Sequence, residues 1–291
     1  VYHYHDFNDR RQEELQHRAR LLETITLGVV TYNSAHVITR LLEQTAALPN
    51  IVVFDNHSTD ATVARVCAVT PAAAVFVSPI NGGFAKGANE IIRAARTEYV
   101  LLVNPDCFMS LESALELAAV AELRRESAIV APILRYADGQ LQRSFLPFDS
   151  SIASRGTRAG TLEVQHVIGA AMLLRRAVIL ELGGFDEEFF LYGEDEDLCA
   201  RVLRAGHRIL VVPSAEVIHA YGQSSGFGRD LQKLKAWHLG WSRARFAYKR
   251  RGKIGLMARI ARTLCGCCVE AMGRSQVGTA SVSECWSKLC G

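Results

Sequence analysis

Five short apolar runs mark the first 132 residues, four of them ending in a polar turn, and four helix-forming stretches lie between these runs. The runs are Thr24–Val30, Ile51–Phe54, Val75–Val77, Tyr99–Val103 and Ile129–Pro132, and the helical stretches are Val37–Leu48, Ala61–Val69, Ala85–Arg96 and Ser110–Arg125. Apolar, β-branched runs of this length read as strands buried on both faces. Their alternation with helices over short turns implies an α/β protein with a Rossmann-like, mostly parallel sheet flanked by helices. In such sheets ligands gather outside the carboxyl ends of the strands. Thr31-Tyr32-Asn33, Asp55–Asp60, Asn81–Gly87 and Asn104–Asp106 each follow a strand, so they are expected along one edge.

With 291 residues, 49% of them hydrophobic and 22% charged, the chain can bury a sizeable core without disulfides or structural metals. It has no run of 18 apolar residues, so no membrane-spanning helix is expected. Val1 to Arg20 is polar where a secretory signal would be apolar. Cys67, Cys107 and Cys199 are scattered in the manner of reduced thiols, which gives a cytoplasmic expectation. Cys265, Cys267, Cys268, Cys285 and Cys290 crowd the tail without the paired Cys-x-x-Cys spacing of a zinc site. Charge is unevenly divided. Residues 229–262 hold 11 Lys/Arg and one Asp, whereas residues 1–228 hold 20 basic and 27 acidic residues. The expected organisation is a polar helical extension over 1–23, a main domain over 24–228, a basic amphipathic helical segment over 229–264 and a Cys/Ser/Gly-rich tail over 265–291.

Several segments of the main domain carry chemistry. Asp106, after an apolar strand, can bind a hard divalent cation with phosphate oxygens completing the shell, or can cap a turn. Glu194-Asp195-Glu196-Asp197 opens a helix, Leu198–Ala205. Four consecutive acids repel one another unless a cation, a helix N-terminus or a substrate answers them. Their neighbours Phe189, Phe190, Tyr192 and Gly193 argue against a solvated acidic face, and desolvation is expected to raise a carboxylate toward the range of a general base. A helix start with surface charges is the plainer reading. Asn81–Gly87 is glycine-rich and opens a helix, where backbone N–H groups can meet phosphate, although it is neither a P-loop nor a dinucleotide fingerprint. Asp55 can accept from a base or ribose, as strand-end acids do in nucleotide folds. His219 ends a short apolar strand, and a single His there is as readily structural as catalytic.

Taken in order over residues 24–225, these segments resemble the inverting family 2 glycosyltransferases of the GT-A fold, and within them the rhamnosyltransferase-like branch. The resemblance rests on Val29–Asn33, Val53–Asp60, Asn81–Asn89, Leu102–Asp106, Gly169–Arg176, Gly184–Phe190, Glu194–Arg201 and His219. It implies that Asp55 contacts the donor's base with Thr31 and Asn33 beside it, and that Asn81, Gly83, Lys86 and Asn104 line the donor side. It places Asp106 at the last position of the family's Asp-x-Asp motif, holding Mg²⁺ or Mn²⁺ on the donor diphosphate, with Asn104 in place of the first Asp and His219 as a further ligand. Asp195 is implied as the general base and Glu194 and Asp197 as the residues that position it. Arg201 is expected to pair with one of these acids, and Arg143, Gly169 and Arg201 to face the acceptor. The implied reaction is transfer of a sugar, rhamnose from dTDP-rhamnose, to a hydroxyl of a glycan or polyprenyl-diphosphate-linked acceptor in cell-surface polysaccharide synthesis. A UDP-hexose or UDP-N-acetylhexosamine donor and a non-catalytic nucleotide-sugar-binding protein remain alternatives.

Lys233–Arg262 interleaves basic residues with Trp237, Leu239, Trp241, Phe246 and Tyr248, and Ile254, Met257, Ile260, Ala261 and Leu264 follow at helical spacing. This fits either a helix on an anionic membrane surface, making the protein peripheral on the cytoplasmic face, or a helix packed on the main domain with a basic outer face. The acidic body argues against nucleic acid as a partner.

Overall fold

The computed structural model describes residues 2–148, 160–220 and 229–274, with side-chain surroundings for 11–148, 160–220 and 232–263. In chain order, α1 (Tyr2–Glu23), β1 (Ile25–Thr31), α2 (Ile38–Gln44), β2 (Asn50–Asp55), α3 (Thr62–Val69), β3 (Ala74–Val77), α4 (Phe84–Ala94) and β4 (Tyr99–Val103) form the alternating half. Strands β1 to β4 pair in parallel in the order β3-β2-β1-β4. Their side chains divide between the two faces. Leu27, Val29, Leu101 and Val103 join the core under α2, while Val100 and Leu102 join the core under α4. The central strands therefore read as unbroken apolar runs.

The second half comprises β5 (Cys107–Met109), α5 (Leu111–Leu123), β6 (Ser127–Arg135), β7 (Phe145–Pro147), β8 (Leu162–Val167), β9 (Ala171–Arg175), α6 (Arg176–Glu181), α7 (Glu194–Arg204), β10 (Arg208–His219) and α8 (Arg229–Arg274). Here the sheet is mixed. β9 lies between β4 and β6 and runs antiparallel to both. That direction pairs Val103 with Ala171, so Gly169 and Ala170 reach the carboxyl edge of β4. Val217–His219 is not a separate strand as the sequence implied. It continues β10, whose register shifts between Val212 and Glu216, where Pro213 lies and cannot donate to a ladder. The shift lets the end of β10 take β5 as a partner, setting His219 opposite Cys107.

Helix α1 lies on α5 through Arg18–Glu112 and Arg20–Glu122 ion pairs and the buried Leu21. Helix α8 is broken at Gly252. Its first part packs on the main domain. The His238 ring stacks on Phe190 at 4.4 Å, Ser242 Oγ donates to the Leu191 carbonyl, and Arg245 and Lys249 both reach Asp186. Among the described residues no helix is long and apolar enough to cross a membrane.

Candidate active site

The polar motifs that follow the strands do meet. Asp55, fully buried, accepts from Thr31 Oγ1 at 2.9 Å and from the Ser58 hydroxyl and backbone N–H. Asn33 adopts a left-handed conformation (φ 50°), which Asn tolerates better than most residues, donates its N–H to Ser58 Oγ and accepts from the Thr59 N–H. Asn56 links this loop to the next, donating to the Gly83 carbonyl and accepting from the Gly82 N–H. Asn81 accepts from the Gly83 N–H, and Lys86 lies half-buried in the first turn of α4. Gly83 cannot carry a side chain. Its φ is 86°, and a Cβ there would stand 2.3 Å from the Phe190 carbonyl oxygen. That closeness lets the Phe84 N–H donate to Phe190, joining the glycine loop to the segment that leads into the four acids.

At the end of β4, the half-buried Asn104 donates its N–H to the Ala170 carbonyl, and Asp106 is fully buried. A carboxylate oxygen, a thiol and an imidazole nitrogen from Asp106, Cys107 and His219 lie within 4.8 Å of one another. Asp106 Oδ1 and His219 Nε2 are 3.6 Å apart, a span that bonds of about 2.1 Å to one ion can bridge. His219 Nδ1 lies 3.0 Å from Gln142 Oε1, so Nδ1 carries the hydrogen and Nε2 turns its lone pair toward Asp106. Burial lowers the imidazole's pKa and outweighs the pull of Asp106, keeping the ring neutral. Cys107 does not fit a hard cation. Its thiol donates to the Ala170 carbonyl, and burial, with Asp106 beside it, holds its pKa well above the ordinary value. The carboxylate and the oriented imidazole therefore fit a hard divalent cation such as Mg²⁺ or Mn²⁺, which Asp106 and His219 could hold.

Across Gly169 and Ala170 stands the acidic helix. Gly193 (φ 84°) starts α7, and Asp195 Oδ2 accepts from the Gly169 N–H at 2.9 Å while Oδ1 accepts from the Glu196 N–H at 2.8 Å. His166 Nε2 lies 3.9 Å from Asp195 Oδ2, an ion-pair rather than a hydrogen-bond distance. The sequence reading expected desolvation to raise the base's pKa. Burial does push the Asp195 carboxyl up, but His166 and the two backbone N–H groups outweigh it and hold it below its ordinary 3.8. The carboxyls that rise are those of Glu194, which burial and the Asp195 charge lift well above the usual range, and of Glu196, which burial also raises. Asp197, also buried, accepts from Arg201 Nε at 2.8 Å and meets Lys249 Nζ at 2.5 Å. Arg201 also donates to the carbonyls of Leu182 and Gly184, so it ties α7 to that turn instead of facing an acceptor. Arg143, between the buried Gln142 and Ser144, is exposed.

Residues 26–183 match the family described as glycosyl transferase family 2, and residues 157–223 match one described as the N-terminal domain of galactosyltransferase. The chain belongs to glycosyl transferase family 2. It is 26% identical over 288 residues to an N-acetylglucosaminyl-diphospho-decaprenol L-rhamnosyltransferase of Mycobacterium tuberculosis, covering 82% of this chain and 93% of that one. It is 28% identical over 181 residues to the rhamnosyltransferase WbbL of Escherichia coli K12, covering 57% of this chain and 66% of that one. The fold is that of a mannosyltransferase of Pyrobaculum calidifontis solved with GDP-Man and Mn²⁺ (TM-score 0.58, 18% identity, 92% of this chain and 84% of that one). It is also that of GalNAc-T7 solved with UDP, GalNAc and Mn²⁺ (TM-score 0.57, 14% identity), of which this chain spans half the length. The protein is thus a glycosyltransferase of the GT-A type and of the rhamnosyltransferase-like kind. His166 and Gln142, which no sequence motif marked, stand beside Asp195 and His219 respectively.

Proposed function

We propose that this glycosyltransferase moves rhamnose from dTDP-rhamnose, with inversion, onto a hydroxyl of a polyprenyl-diphosphate-linked glycan. One observation carries the reading. The dipeptide Gly169-Ala170 holds the Asp195 carboxylate through the Gly169 N–H and the Asn104–Asp106 turn through the Ala170 carbonyl, so an ionised base and a metal-fitting pair flank two adjacent residues. The rhamnosyltransferase relatives, one named for a decaprenol-diphosphate acceptor, support the choice of donor and acceptor.

In this mechanism the knitted loops of Thr31–Asn33, Asp55–Asp60 and Asn81–Lys86 seat the nucleotide, with Thr31 and the buried Asp55 setting the shape of the base pocket. A cation held by Asp106 and His219 would supply neutralising charge to the departing diphosphate. Asp195 Oδ2 takes the proton of the acceptor hydroxyl as its oxygen attacks the anomeric carbon from the side opposite the leaving group. A single displacement of this kind inverts the configuration. Asp195 keeps two backbone N–H bonds throughout, which fix its direction. The exposed apolar residues of α8 beyond Gly252 fit a peripheral station on an anionic membrane.

The test is an Asp195→Asn variant assayed with dTDP-rhamnose and a short polyprenyl-diphosphate-linked acceptor. Turnover falls roughly a thousandfold while Mn²⁺-dependent dTDP binding by calorimetry is unchanged. Equal loss of binding and turnover would remove Asp195 from the role of base. Turnover with UDP-sugars alone would replace the donor.

A further inference from the structure

The geometry points to a second anion site, built by the break in α8, that grips the diphosphate of the lipid-linked acceptor next to the catalytic base. This rests on the acceptor class proposed above.

The break folds the chain back on itself. Gly255 is buried, and a Cβ on it would stand 2.4 Å from the Ala247 carbonyl oxygen, so only glycine lets the two arms of α8 close this tightly. Between the arms and the start of α7 lies a cavity of about 410 Å³. Arg243, Arg250, Arg251, Arg259 and Arg262 line it, with Glu196 as the acidic residue on its wall. Arg245 and Lys249, on the same helix, are committed to Asp186 and are not part of it. Five arginines on the wall of one concavity match a diphosphate, whose oxygens take paired N–H donors.

Position supplies the second argument. A neighbouring cavity of about 320 Å³ shares Glu196, Phe246 and Arg250 with the first and reaches His166, the partner of Asp195. The arginine pocket therefore adjoins a cavity that reaches the histidine facing the base, the arrangement needed when a hydroxyl of a sugar reacts while its anomeric oxygen carries a diphosphate.

The outer arm supplies the third. Arg251, Gly255, Ala258, Arg259 and Arg262 recur at helical spacing on the face that lines the pocket. Ile254, Met257 and Ile260 lie on the other side of the same helix and are 81%, 64% and 42% exposed. One face thus offers charge to a headgroup and the other offers apolar surface to the layer in which a polyprenyl chain dissolves.

The test is sedimentation with phosphatidylcholine vesicles carrying either a polyprenyl diphosphate or charge-matched phosphatidylglycerol, with EDTA present so that the metal-dependent donor site contributes nothing. The wild-type chain should bind the diphosphate vesicles roughly tenfold more tightly than the phosphatidylglycerol vesicles. An Arg259→Gln/Arg262→Gln variant, shown to be folded by circular dichroism, should lose that preference. A Lys233→Gln/Lys253→Gln variant, which removes equal charge from the same helix outside the pocket, should keep it. Equal wild-type binding to both vesicles, or equal effects of the two double variants, would reduce the pocket to a general anionic surface and overturn the inference. Because no turnover is read, failure of the transfer reaction leaves this result standing, and failure here leaves the reaction standing.

Discussion

His166 and Asp195 face each other at 3.9 Å, one on β8 and the other in the first turn of α7, and each shifts the other's titration. Burial alone would lower the His166 imidazole and raise the Asp195 carboxyl, yet Asp195 and Glu196 raise the first, and His166 with two backbone N–H groups lowers the second. A His166→Gln variant therefore releases the carboxyl upward. Because only the carboxylate can take a proton, the acid limb of the kcat profile should move to higher pH in the variant while the neutral plateau stays. The raised imidazole also stabilises the fold. That contribution is fully present below the ordinary 6.5 and is lost as pH rises through the raised value. Thermal melts of wild type and variant should thus converge toward alkaline pH. A variant whose acid limb does not move would leave His166 a mere neighbour.

Glu194 is the opposite case. It is buried, one of its oxygens has no hydrogen-bond partner, and its carboxyl is raised well above 4.5 by burial and the Asp195 charge. A raised acid costs stability as pH rises from its ordinary value through its folded one. Glu194→Gln should melt with wild type at acid pH and above it at alkaline pH. Parallel melting curves across the range would mean that Glu194 is ionised in the fold.

Gln142 sets the ring of His219 and should be felt through the metal. Gln142→Ala removes the acceptor that fixes the tautomer while leaving both ligands in place. Mn²⁺ affinity, read by calorimetry or by the metal dependence of nucleotide binding, should fall about tenfold, as for other outer-shell partners. Unchanged affinity would assign the metal elsewhere.

The alternating half of the fold was legible because each of β1 to β4 is a continuous apolar run and each turn after it carries polar residues that must bond. Thr31 with Asp55, and Asn56 with Gly82 and Gly83, are the consequences. That Arg201 pairs with one of the acids was implied by the family resemblance, and the structure gives Asp197, four residues earlier on the same helix, as that acid. The direction of β9 was not, because an apolar run broken by Gly169 says nothing about which strands it will lie between. His166 and Gln142 left no signal for a related reason. Each sits beside other polar residues, His166 next to Gln165 on β8 and Gln142 next to Arg143, and each acquires meaning only through long-range register, Leu146 with His166 and β10 with β5. The lowered Asp195 pKa was likewise invisible, since it depends on a histidine from another strand.

The remaining prediction concerns how α8 is fastened to the catalytic helix. Asp197, 1% exposed, receives Arg201 from its own helix and Lys249 from α8, and Lys249 also lies over the Phe189 ring at 5.6 Å. Removing the buried carboxylate strands the Arg201 charge in a largely buried place, so Asp197→Ala should cost roughly 3 kcal/mol in urea unfolding. Lys249→Met is different in kind. Asp197 keeps Arg201, the aliphatic stem still covers Phe189, and Arg245 still holds Asp186, so the cost should stay at about 1 kcal/mol or less. The two together should cost little more than Asp197→Ala alone, because the lysine has then already lost that partner. Full additivity in the double variant would show that Lys249 acts through Asp186 alone and that the contact with Asp197 contributes nothing.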